Sequence, residues 1–314
     1  MSRFLNLGII QSTGNPDIEE NLKRIEKNVD DLMTRTMKPE LICGVELGIG
    51  SLWMKDQCYD TIPGRATEKL SEIARKHGIY LIPGSMTEIV KDQEGNTKYY
   101  NSIPIFNPSG EIIDVYRKMC PYYPGEEAIT KGEKFVVFEI PEKSIKVGVI
   151  NCHDWCFPEV SRIVTLMGAE LILRPAVDPE GLYDVCKSIS PTRAFENQAY
   201  FASINMVGRY NHLDAYGHSN VYAPDAALLY EAGDKECLAT VTLDMDIVEN
   251  ARRYGTRYTE QLLRQYRYFN IKNPYADNLD EAPLYANLPK PDLTLKDQKE
   301  DLNKMGIMII GKQV

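Results

Sequence analysis

The chain has 314 residues, 43% of them hydrophobic and 26% charged, with a formal charge of −9 and a pI near 5.2, so it can fill a large core and lacks the charge of a broad nucleic-acid-binding face. No run approaches the roughly 20 apolar residues of a membrane span, and the opening "MSRFLNLGIIQSTGNP" is too polar after its short apolar run for a signal peptide. Seven scattered cysteines do not form a secreted disulfide framework, which places the chain in a reducing cytoplasm with most thiols free.

"LNLGIIQ" (5–11) is an apolar run closed by turn residues and reads as a buried strand. Leu22, Ile25, Val29, Leu32 and Met33 follow at helical spacing. "PELICGVE" (39–46) reads as a second strand ending on Glu46, and Leu70, Ile73 and Ala74 mark a second helix stopped by Gly78. "IYLIPGS" is a third strand. This alternation predicts an α/β layered domain, and a hairpin turning at Asn107-Pro108-Ser109-Gly110 makes its sheet mixed.

"VGVIN" runs as a strand into Cys152, and Pro158 opens a helix reaching Gly168. "AELILRP" reads as a strand, "TRAFENQA" as a helix, "YFASINMVG" as a strand and "GHSNVYAPDAALLYEAG" as a last hairpin. Residues 1–263 are expected to form one domain. Residues 264–314, rich in Asn, Pro and Tyr, suit either an arm gripping a neighbouring subunit or a partly ordered tail.

"CHDWCFPE" (152–159) carries the chemistry most worth weighing. A zinc site needs a second Cys/His pair, and His77, His212 and His218 each stand alone. The C-x-x-x-C spacing is not the C-x-x-C of a dithiol redox centre. A strand, an abrupt turn and a helix opened by Pro158 instead form an elbow that would expose the Cys152 thiol near free backbone N–H groups. Adjacent strand residues point to opposite sides, so His153 should face away from that thiol, leaving a carboxylate as base. Glu46 and Lys118, each closing a strand, supply a base and a cation; either alone would read as ordinary surface charge.

Glu46 in "VELG", Lys118 in "YRK" and Cys152 in "CHDWCFPE" together resemble the Glu-Lys-Cys triad of the nitrilase, or carbon–nitrogen hydrolase, superfamily. Glu126 in "RKMCPYYPGEE" matches the additional glutamate of the amidase branch, and "MGAELILRPA" and "RAFENQAYFASIN" also look like this family. The resemblance implies a four-layer α-β-β-α sandwich with mixed sheets, subunits paired as dimers or higher homo-oligomers, and no metal or organic cofactor. "RKMCPYYPGEE", "CHDWCFPE" and "YGHSNVY" look most like aliphatic amidases and formamidases. Val45 stands where a proline commonly precedes the first glutamate, Glu127 and Ala128 replace an expected aromatic residue, and Asp225-Ala226 replaces a glycine turn.

The implied reaction is hydrolysis of a small aliphatic amide through a cysteine thioester, with Glu46 as base, Lys118 at the oxyanion and Glu126 orienting. Tyr122, Tyr123, Asp154 and Trp155 are candidate substrate-binding residues, although Asp154 and Trp155 equally suit packing beneath the elbow. His218 is expected to be a structural hydrogen-bonder. The alternatives are an N-carbamoyl compound, with Arg174 or Arg193 holding its carboxylate, or a nitrile; a non-catalytic binding member would not need this residue set.

Overall fold

The computed structural model describes residues 3–51, 58–123, 125–210, 213–256, 261–269 and 277–285. The first half begins with β1 (Phe4–Gln11), α1 (Ile18–Met33), β2 (Leu41–Cys43), β3 (Tyr59–Asp60) and α2 (Arg65–His77). It continues through β4 (Tyr80–Ile82), β5 (Met86–Lys91), β6 (Thr97–Phe106) and β7 (Ile112–Arg117). The second half holds β8 (Val136–Ile140), β9 (Ile145–Val149), α3 (Pro158–Leu166), β10 (Leu171–Ala176), α4 (Tyr183–Asn197) and β11 (Tyr200–Asn205). Then come β12 (Val207–Tyr210), β13 (Leu213–Tyr216), β14 (Asn220–Tyr222), β15 (Leu228–Glu231), β16 (Cys237–Asp244), α5 (Asp246–Tyr254) and α6 (Leu262–Phe269).

Among the described residues, one mixed sheet runs β16-β1-β2-β4-β6-β5-β3 with β7 on β6, and a second runs β15-β14-β11-β10-β9-β8. Strand alternation assigns each residue a layer. Leu5, Leu7 and Ile9 of β1 meet Val147, Val149, Leu171 and Leu173 of the second sheet in the central core. Ile10 of β1 turns the other way, onto Leu22, Ile25 and Val29 of α1 and Leu70 and Ile73 of α2. Ile172 of β10 packs outward on Val164 of α3 and Ala194 of α4. The result is the expected α-β-β-α sandwich.

Several elements differ from their sequence-based extents. The strand expected to end on Glu46 stops at Cys43, and Glu46 lies in the turn beyond it. The helix read from Thr192 begins at Tyr183, because Pro191 sits inside it rather than breaking it. The expected boundary at 263/264 falls within α6, and residues 286–314 of the supposed arm lie outside the described residues. Among the described residues no helix is long and apolar enough to cross a membrane.

Candidate active site

The turn after β2 is built to deliver Glu46 into the core. Leu47 adopts φ 53°, and its N–H donates to Ser85 Oγ at 2.8 Å. Gly84, at φ +107°, passes so close beneath that a Cβ would stand 1.9 Å from the Val45 carbonyl oxygen. Only glycine tolerates both that conformation and that approach. Lys118 extends the β7 ladder by one residue, its N–H donating to Asn101 O on β6. Glu126 comes from the following loop, where its N–H bonds to Tyr122 O.

These groups converge in nearly complete burial: Glu46 is 3% exposed, Lys118 1% and Glu126 2%. Lys118 Nζ lies 2.8 Å from Glu46 Oε1 and 2.7 Å from Glu126 Oε2. Asn101 joins the same carboxylates from the other side, its Nδ2 donating to Glu46 Oε1 at 2.9 Å and Glu126 Oε1 at 2.7 Å. The Val177 N–H donates to Glu46 Oε2 at 3.0 Å. Burial raises the pKa of Glu46, with Lys118 opposing and Glu126 reinforcing. Burial also pulls Lys118 down, but Glu126 and Glu46 outweigh it and hold the ammonium well above its usual range.

Cys152 follows β9 at φ 44°, a left-handed conformation that costs a non-glycine residue about 1–2 kcal/mol. Its surroundings hold it there. Arg174 Nε donates to the Cys152 carbonyl at 2.9 Å, and Asp154 Oδ2 accepts the Asn151 N–H at 2.7 Å. Asn151, whose Nδ2 donates to Asn101 Oδ1 at 3.0 Å, ties the partly buried Cys152 to the Glu46 cluster. Burial and then Glu46 push the Cys152 thiol well above the ordinary thiol pKa, against the pull of Lys118. The resting group is therefore a thiol that needs a base. Residues 152–156 form a 3₁₀ turn, which interposes between Cys152 and α3.

That turn removes the strand argument for His153, yet its imidazole still faces elsewhere. Nδ1 lies 3.2 Å from Cys120 O, and the ring meets Tyr122 and Phe157 edge-on. Burial depresses its pKa. Tyr122 is 37% exposed beside it, and Tyr123 is half-buried on the same loop.

Asp154 and Trp155 occupy the packing position instead of the pocket. Asp154 is fully buried and accepts from Tyr116 OH at 2.5 Å, the Cys120 N–H at 2.8 Å and the Asn151 N–H. Its pKa is raised to about 6 by burial. Trp155 is 1% exposed under the Arg174 guanidinium, 3.9 Å from its carbon. Neither arginine considered for a substrate carboxylate is available. Arg174 grips both oxygens of Asp178, and Arg193 bonds Trp155 O and Glu196. His218 is structural as expected, contacting Tyr183 OH at 3.1 Å and Glu231 at 3.0 Å.

Sequence reasoning passed over Asn101, Val177 and Asp178. The signal for Asn101 was a polar amide within "YYNSIPIF", a strand with no other need for it; a buried amide requires partners. A separate surface cleft lined by Arg3, Lys146, Glu170, Arg252, Arg253 and Arg264 shares no residue with the buried cluster.

The family model described as carbon-nitrogen hydrolase matches residues 6–253. The omega-amidase NIT2 of Xenopus tropicalis is 28% identical over 272 residues, covering 80% of this chain and 92% of the relative. Saccharomyces cerevisiae Nit3, a member of branch 10 of the nitrilase superfamily, superposes with a TM-score of 0.71 at 25% identity, covering 82% of this chain and 96% of that one. A mutant amidase from Nesterenkonia sp. AN1, carrying the acetamide moiety of fluoroacetamide covalently at its active-site cysteine, gives a TM-score of 0.67 at 25% identity, covering 85% and 97%.

Proposed function

This chain belongs to the carbon–nitrogen hydrolase family of the nitrilase superfamily, hydrolases of carbon–nitrogen bonds, and we propose that it cleaves small aliphatic amides through a Cys152 thioester. The observation that carries this reading is Lys118 paired with two buried glutamates, both tied through Asn101 to Asn151, the residue before Cys152.

In the proposed reaction Glu46 takes the thiol proton as sulfur attacks the amide carbon. The carbonyl oxygen becomes an oxyanion, stabilised by Lys118 and by the backbone N–H of His153, the first after the nucleophile. Glu46 returns the proton to the departing ammonia and then draws one from the water that opens the thioester. Glu126 orients Lys118 and accepts from the amide nitrogen. Tyr122, packed edge-on against the His153 ring, and Tyr123 on the same loop would wall the approach to the sulfur and favour a short acyl group. Arg174 and Arg193 are already committed to Asp178 and to Trp155 O and Glu196, which disfavours them as counter-ions for a substrate carboxylate.

The test is ammonia release from formamide, acetamide, propionamide, an N-carbamoyl amino acid and a nitrile, with intact mass for an acyl adduct at Cys152. Release from simple amides with the adduct supports the reading. Turnover retained by Cys152→Ala would sink it.

A further inference from the structure

A carboxylate on the other side of the sulfur has no part in that reaction. Asp178, in the turn after β10, is 1% exposed, and its Oδ1 accepts from Cys152 Sγ at 3.6 Å. Arg174 donates to both of its oxygens at 2.8 Å, Tyr216 OH donates to Oδ2 at 3.2 Å, and the Asp178 N–H donates to Asn205 Oδ1 at 2.8 Å. Arg174 also carries the Cys152 carbonyl through Nε, so a single guanidinium fixes both the strained main chain of the nucleophile and the acceptor of its thiol. One residue earlier, the Val177 N–H holds Glu46. A two-residue turn therefore touches base and nucleophile together.

We propose that Asp178 is a positioning residue of the nucleophile: clamped by Arg174, its carboxylate accepts the Cys152 thiol hydrogen and keeps the resting sulfur protonated and correctly turned. The proposal rests on Cys152 being the nucleophile. At attack the proton passes to Glu46, while Asp178 stays paired with Arg174. The charged groups facing the sulfur are Glu46 and Lys118 from the first sheet and Asp178 and Arg174 from the second, with the Tyr122 phenol nearby.

Asp178→Asn keeps the shape and removes the charge, leaving Arg174 uncompensated beside the sulfur and the thiolate favoured. Each unit by which the thiol pKa falls raises the thiolate fraction tenfold and lowers its intrinsic nucleophilicity about threefold, so iodoacetamide labelling at pH 7.5 should quicken about threefold per unit. The same variant should lose at least about tenfold in kcat on acetamide, because the sulfur is no longer held, with KM little changed. Faster labelling confined to Cys152, read by peptide mass, with slower turnover is the expected result, whereas general structural damage would also open the buried Cys43 and Cys186 to the reagent. The pair Arg174→Gln/Asp178→Asn removes both charges and covers the case in which the single variant does not fold. Its labelling should return to the wild-type rate while kcat stays low. Labelling unchanged or slowed in the folded single variant, or wild-type kcat in the double variant, overturns the proposal. Cys152→Ala measured alongside separates the two failures, since its continued turnover would refute the nucleophile itself.

Discussion

Replacing Asn101 by aspartate tests how tightly its side chain bridges Glu46 and Glu126 beside Lys118. The change swaps the amide donor for a carboxyl oxygen facing Glu46 Oε1 and Glu126 Oε1, which Nδ2 now bonds at 2.9 and 2.7 Å. At about 3 Å and an effective dielectric of about 20, each like-charge contact would cost about 5 kcal/mol, part of it offset by Lys118. The new carboxyl escapes by keeping its proton, with its pKa lifted about 3 units above the ordinary 3.9 or so. A folded pKa above the unfolded one gives stability that is full below about pH 4 and lost as pH rises to about 7. At about 1.4 kcal/mol per unit, roughly 3 kcal/mol disappears between pH 5 and pH 8. For a chain of this size that widens the Tm gap between Asn101→Asp and wild type by about 4–5 °C. Calorimetry of both proteins across that range makes the comparison. A gap that stays constant with pH would show that Asn101 does not bridge Glu46 and Glu126.

Lys118→Met should reduce amide turnover by at least about 10³-fold, measured as ammonia release, because the oxyanion loses its cation. His153→Leu should keep kcat/KM within about threefold and leave the acidic limb of its pH profile in place, since the ring packs on Tyr122 and Phe157. Asp154, held at about 6 by burial, contributes stability that is present below about pH 4 and lost as pH rises to 6. Thermal melts of Asp154→Asn should lack that slope. Gly84→Ala should lower Tm and kcat together, because the added carbon strikes the Val45 carbonyl beneath Glu46.

The residues that punctuate the chain were readable because their signals are local. Gly78 stops α2 at φ 63°, and Pro158 opens α3. The Asn107–Gly110 turn joins β6 to β7 as expected. Pairing across long sequence separations was not readable. β16 lies antiparallel along the whole of β1, Phe4 opposite Asp244, and nothing in either segment names the other. The same limit hid part of the site. Glu46, Lys118, Cys152 and Glu126 were found through a family pattern, and their convergence needed the fold. Asp178 was hidden because "RPAVDPE" looks like an ordinary strand exit, and only the neighbouring β9 brings Cys152 to it.

The two halves of the proposed site stand on opposite walls. Glu46, Asn101 and Lys118 hang from the first sheet, Cys152 and Asp178 from the second, and the central core is the spacer between them. The cluster therefore acts as a gauge of core thickness. Extra carbon between the sheets, one atom in Val149→Leu or three in Leu173→Phe, would part Glu46 from the thiol by a fraction of an ångström while most of the packing survives. Turnover in such variants should fail well before the fold does, and compensating small substitutions on the facing strand should restore it.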